Sequence, residues 1–134
     1  CVPDIEVETA AARRILPDQV SHADAAFTAG RMAFLMAGLL EGRPDALLLG
    51  VQDRLHQAWR APLIGPVDEA LGLAVALGGM GGFISGSGST LACFVPDGVD
   101  ADAVADAMCG PFRAMGIGAI GHTVRPLARG ALIS

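Results

Sequence analysis

Residues 85–90 read Ser-Gly-Ser-Gly-Ser-Thr, the dense end of a longer stretch, "GGMGGFISGSGST", over Gly78–Thr90. Glycine inside a regular element costs about 0.5–1 kcal/mol relative to alanine, so this concentration marks a tight turn or a close approach of backbone to another group. Backbone N–H groups at such a turn can converge on an anion, and serine hydroxyls add donors. Ser85, Gly86, Ser87, Gly88 and Ser89 are therefore candidates for the phosphate side of a site. The stretch is not a Walker A loop, because the closing Gly-Lys-Ser/Thr is absent. Nor is it a dinucleotide fingerprint, because its glycines lead into a strand rather than opening a helix. A hairpin or close-packed turn accounts for the same residues equally well.

Arginine is the second candidate chemistry. All nine basic residues are arginine, and a guanidinium meets a carboxylate or phosphate with two parallel hydrogen bonds; a GC-rich coding bias explains the same count. His56 stands three residues after Asp53, a pair that invites general-base chemistry, but beside Trp59 on a helix the spacing fits a structural or rim role better. His22 is expected in a first helical turn and His122 in a strand, neither with catalytic company. Cys1, Cys93 and Cys109 have no Cys-x-x-Cys spacing and no histidine at ligand spacing, so neither a disulfide framework nor a metal site is indicated. Cys93 lies in an apolar run, where a buried inert thiol is expected.

The elements that must position these residues can be read along the chain. Alternation from Val2 through Ile5 and Val7 fits a short strand, and a short helix follows over Ala10–Leu16, stopped by Pro17. Ser21 three residues before Asp24 is a helix-start signature for a long, largely buried helix to Glu41, closed by Gly42. Pro44 and Asp45 open a helix from Ala46 to Trp59, with Leu48, Val51, Leu55 and Trp59 on one face, and Pro62 should end it. Val67–Leu77 is a further helix with Asp68 and Glu69 in its first turn. "TLACFVP" reads as a strand, Asp100–Met115 as a helix disturbed at Gly110 and Pro111, and Ala119–Val124 as a last strand before irregular or strand-like chain. This order predicts an α+β layer, helices packed on one face of a small antiparallel sheet.

Composition sets the outer bounds. A chain of 134 residues fits one domain, and 52% hydrophobic with only 4% aromatic residues means a core of small aliphatic side chains. The net charge of -5 leaves no basic stripe for nucleic acid. The most apolar run, Met32–Leu40, is shorter than the roughly 18 residues of a membrane span. A soluble, cytoplasmic protein is expected, without nucleic-acid or membrane partners.

The segments "TAAARRILP", "VSHADAAFTAGR", "DRLHQAWRAPLI" and "GGFISGSGST" occur in the order and spacing of the C-terminal half of homoserine kinases, members of the GHMP small-molecule kinase superfamily. The resemblance covers essentially the whole chain. Asp53-Arg54-Leu55-His56-Gln57 with Arg60 is its most specific part, whereas the glycine turn is shared across the superfamily. The resemblance implies a ferredoxin-like α/β plait over residues 1–134. It also implies phosphorylation of the L-homoserine hydroxyl by ATP in threonine biosynthesis. Thr9 resembles the family's strand-end threonine, and Arg13 the arginine four residues later that binds the amino-acid substrate. Arg60 resembles the arginine that grips its carboxylate. Thr9 and Arg13 are one helical turn apart and can face one pocket. No residue of this chain is implied as a general base. The superfamily's Pro-x-x-x-Gly-Leu-Gly-Ser-Ser loop does not occur here, so ATP and Mg2+ are expected mainly on the N-terminal half, with no cofactor on this chain alone. The chain alone is expected to be inactive, and the implied partners are that N-terminal half and a second copy in a homodimer. The family usually has proline where Ser89 stands, and its loss should loosen the turn. Another GHMP kinase, or a noncatalytic binding or oligomerisation domain of plait type, would also satisfy the element order.

Overall fold

Ser21 starts the longest helix as its spacing to Asp24 predicts: its hydroxyl oxygen accepts from the Asp24 N–H at 3.0 Å, satisfying one of the amides left free at a helix start. The helix runs His22–Glu41 and ends at Gly42, whose φ of 65° is the left-handed stop that glycine permits. The computed structural model describes residues 1–126 and 130. In chain order these form β1 (Val2–Pro3), α1 (Thr9–Arg14), α2 (His22–Glu41), α3 (Pro44–Gly50), α4 (Gln57–Ile64) and α5 (Val67–Ala76). They continue with β2 (Gly82–Ile84), β3 (Leu91–Cys93), α6 (Ala101–Ala114) and β4 (Ala119–Ile120).

The strands form two antiparallel ribbons, β1 with β4 and β2 with β3. Val2 pairs with Ile120, and Gly82, Phe83 and Ile84 pair with Cys93, Ala92 and Leu91. Cys1 and Leu91 exchange N–H···O bonds in both directions, each 2.9 Å, the signature of an antiparallel hydrogen-bonded pair. Through that contact the ribbons join in the order β4-β1-β3-β2, the arrangement expected of an α/β plait. Helices α5 and α6 pack over it. Ile64, Val67, Leu91, Val104 and Phe112, each at most 3% exposed, form the centre of the core, which is small and aliphatic as composition requires.

Several expectations need correction. The first strand is only two residues; Asp4 N–H adds one further bond to Gly118 O, 2.7 Å, and pairing then stops because β4 itself is only Ala119–Ile120. Ala119–Val124 is correspondingly shorter as a strand, and the irregular chain expected after it lies outside the described residues from 127 on, apart from Gly130. The helix expected over Ala46–Trp59 is two helices, broken between Val51 and His56. Pro62 sits inside α4, which ends two residues later where Gly65 turns with φ 114°. Helix α6 runs unbroken through Gly110 and Pro111, and Pro111 is buried.

Helix α2 departs furthest: of its residues only Gly38 is buried. It packs along α3, and Met32, Met36, Leu39 and Leu40 stay exposed, Leu40 at 78%. The helical run is longer than Met32–Leu40: 20 residues at a hydropathy of 1.2 would reach across a bilayer by length and composition. In this fold it lies against α3 instead. The approach is close because both contacts are made by glycine. A Cβ on Gly38 would stand 2.7 Å from the Leu47 side chain, and one on Gly50 would stand 2.5 Å from the backbone nitrogen of Leu35.

Candidate functional site

Asp53 explains why the expected long helix breaks. Its Oδ2 accepts from the N–H groups of Leu55 (3.0 Å), His56 (2.7 Å) and Gln57 (2.8 Å), capping the start of α4 with a side chain only 8% exposed. Gln57 then clamps the loop: its Nε2 donates to Val51 O at 3.1 Å and its Oε1 accepts from Ile84 N–H at 2.8 Å. Asp53 and Gln57 thereby fix α4 against β2, and with it every residue one and two turns further on. The sequence singles out both within the most specific motif but assigns neither this clamping task. An aspartate just before a run of unpaired amides is the signal that could have exposed the cap.

Burial by itself pushes the Asp53 carboxyl pKa upward, but the amides of Gln57, His56 and Leu55, together with the charge of His56, outweigh it and leave the group below the ordinary carboxylate value. A carboxyl with a depressed folded pKa contributes fully above its unfolded value of about 3.9 and loses that contribution as pH falls through the folded value. Asp53→Asn should therefore cost most stability near neutrality. The gap to the parent in denaturant midpoint should narrow as pH is lowered from 6 to 3, and a constant gap across that range would contradict the account.

Arg60, one turn into α4, reaches two other elements. Its Nη1 donates to Gly86 O at 2.8 Å and lies 3.3 Å from His56 Nδ1, and its Nε donates to Ala12 O in α1 at 3.4 Å. Nη2 makes no hydrogen bond among the described residues. The structure thus brings together Arg60, the glycine turn and helix α1, which carries Thr9 and Arg13. Thr9 is the first residue of α1 rather than the end of a strand. Thr9 and Arg13 are both exposed, and their side chains make no hydrogen bond among the described residues.

The glycine turn connects β2 to β3. It is closed by Ser85 N–H to Thr90 O at 2.8 Å and Gly88 N–H to Ser85 O at 3.2 Å, while the amides of Gly86, Ser87 and Ser89 carry no hydrogen bond among the described residues. Gly86 and Gly88 have φ of 64° and 92°, and a Cβ on Gly88 would meet Ile64 Cδ1 at 2.5 Å. Glycine at residue 88 is required by backbone conformation and close packing together. Ser89 does not hang free: its Oγ donates to Pro3 O at 3.3 Å, tying the turn to β1.

The cysteines stay outside this site. Cys109 is fully buried and Cys93 half-buried, and burial raises both thiols above their ordinary pKa, disfavouring the nucleophilic thiolate. Among the described residues no group of three or more His, Cys, Asp or Glu side chains is placed to hold a metal ion.

Residues 35–114 match the family described as GHMP kinases C terminal. The chain is 42% identical over 127 residues to the homoserine kinase of Trichormus variabilis, covering 95% of this chain and 41% of that protein. It is also 42% identical over 93 residues to the homoserine kinase of Deinococcus radiodurans, covering 69% of this chain and 30% of that protein. The crystal structure of homoserine kinase from Cytophaga hutchinsonii superposes with a TM-score of 0.78 at 32% identity, over 87% of this chain and 37% of that one. The chain spans about two fifths of the length of the first of these relatives. The matched stretch runs from α2 through α6 and includes Asp53, Arg60 and the glycine turn, so the chain belongs to the GHMP kinases C-terminal family.

Proposed function

We propose that residues 1–134 form the substrate-side C-terminal domain of a homoserine kinase, which transfers the γ-phosphoryl group of ATP to the hydroxyl of L-homoserine and gives O-phospho-L-homoserine for threonine biosynthesis. The observation that carries this reading is the setting of Arg60. Its guanidinium is held between α1 and the glycine turn, with Nη2 left over for a ligand. A substrate carboxylate accepting from Nη2, and from Nε once the long 3.4 Å contact to Ala12 O is given up, would sit beside Thr9 and Arg13 on α1. That contact is the two-bond fork by which arginine selects carboxylates.

In such a complex this chain's work is positioning. Arg60 and Arg13 hold the amino-acid end of the substrate, and Thr9 offers a hydroxyl to the same pocket. The amides of Gly86, Ser87 and Ser89 suit an anionic phosphate oxygen approaching the turn. A loose phosphoryl-transfer transition state asks chiefly for alignment and charge stabilisation, so no general base is assigned here. ATP and Mg2+ are assigned mainly to the remainder of the enzyme. The apolar side chains that α2 leaves exposed among the described residues support association with further protein, which we assign to a homodimer, and the cytoplasm is the assigned location. Sedimentation of the chain should show self-association, and a strict monomer at high concentration counts against it.

Calorimetric titration of this chain with Mg-ATP should show no binding in the micromolar range, and phosphorylation of homoserine should be absent. Micromolar affinity would overturn the assignment of nucleotide binding to the remainder.

A further inference from the structure

A guanidinium has five N–H donors and accepts nothing. Arg60 Nη1 lies 3.3 Å from His56 Nδ1, so in this contact Nδ1 is the acceptor and carries no proton. A neutral imidazole must then carry its proton on Nε2, and that nitrogen faces Asp53 Oδ1 at 3.8 Å. Asp53 is itself fixed by three backbone amides through its other oxygen. The second hydrogen of Nη1 goes to Gly86 O at 2.8 Å. His56, Arg60 and the glycine turn therefore form one chain of directed contacts, with Asp53 of the helix cap beside it.

We propose that His56 is a positioning residue that, as the neutral Nε2–H tautomer, holds the Arg60 guanidinium against the glycine turn. A proton on Nδ1 would set N–H against N–H and place two cations side by side, so the contact cannot survive it. The charged groups around His56 are Asp53 on its own loop and Arg60 on α4. Arg31 of α2 lines the same cavity as His56. Arg13 of α1 adjoins Ala12, whose carbonyl shares Arg60. The consequence for homoserine rests on the function proposed above, whereas the tautomer does not.

Two measurements test this separately. Ring-nitrogen NMR of His56 in this chain at pH 8 should show a protonated Nε2 and a bare Nδ1; the Nδ1–H tautomer would overturn the proposal whatever the substrate is. In an active full-length enzyme containing this chain, His56→Phe should raise KM for homoserine about tenfold, the effect of losing a hydrogen bond to a charged group. The kcat and the KM for ATP should be unchanged. His56→Asn, whose side-chain oxygen can replace Nδ1 as acceptor, should recover most of the loss. Equal KM in the parent and His56→Phe would overturn the proposal. Loss of homoserine specificity with the Nε2–H tautomer intact would instead count against the substrate assignment.

Discussion

In the complete enzyme, Arg60→Ala should lower kcat/KM for homoserine by roughly 10- to 150-fold while sparing ATP binding, because a lost hydrogen bond to a charged group is worth about 1.5–3 kcal/mol and each 1.4 kcal/mol is a factor of ten. Arg60→Lys should recover only part of this, since an ammonium keeps the charge without the planar fork. The control is 3-aminopropan-1-ol, which is homoserine without its carboxylate. It should be a poor substrate for the parent and lose little further in Arg60→Ala. Arg60 also donates to Gly86 O and Ala12 O, so a purely structural role is a real competitor. An equal loss with both substrates would show that Arg60 acts only through the turn.

Gly50→Ala should destabilise the fold by about 1–3 kcal/mol, the range for overpacking a close contact. The added Cβ would stand 2.5 Å from Leu35 N and 2.6 Å from Leu35 Cα, and these are backbone atoms that cannot rotate away. Helices α2 and α3 must separate to admit it. Gly30 is the internal comparison, because it lies in α2 with nothing within 4 Å of an added Cβ. There alanine should gain up to about 1 kcal/mol through helix propensity. Thermal unfolding of the two variants should move in opposite directions, and a Gly50→Ala midpoint equal to the parent's would contradict the close approach.

What was legible in the sequence follows from how local each signal is. The Ser21 cap, the Gly42 stop and the hairpin around the glycine turn depend on residues within a few positions of one another, and each stands where the pattern put it. The single helix over Ala46–Trp59 did not survive, because the apolar spacing of Leu48, Val51, Leu55 and Trp59 is helical while Asp53 between them offers the backbone a stronger alternative. Periodicity records which residues are apolar and not which amides a side chain will capture. The exposure of α2 was not legible for a different reason. An apolar helix is expected to be covered, yet the described residues cover only the strip that glycine lets α3 approach. At the site, Arg60 could be picked out by type and motif, but its grip on Gly86 joins residues 26 positions apart and has no local sequence signal. Gln57 is hidden in the same way, since its partner Ile84 lies on another element.

The most direct test of the central claim is a chimera in which this chain replaces the matched C-terminal segment of the Trichormus variabilis homoserine kinase. Its ATP consumption is followed with L-homoserine and with 3-aminopropan-1-ol. The account predicts a folded, ATP-binding enzyme that phosphorylates homoserine, strongly prefers it over the analogue lacking the carboxylate, and loses that preference on Arg60→Ala. A chimera that folds and binds ATP but leaves homoserine unphosphorylated, or accepts both alcohols equally, would contradict it.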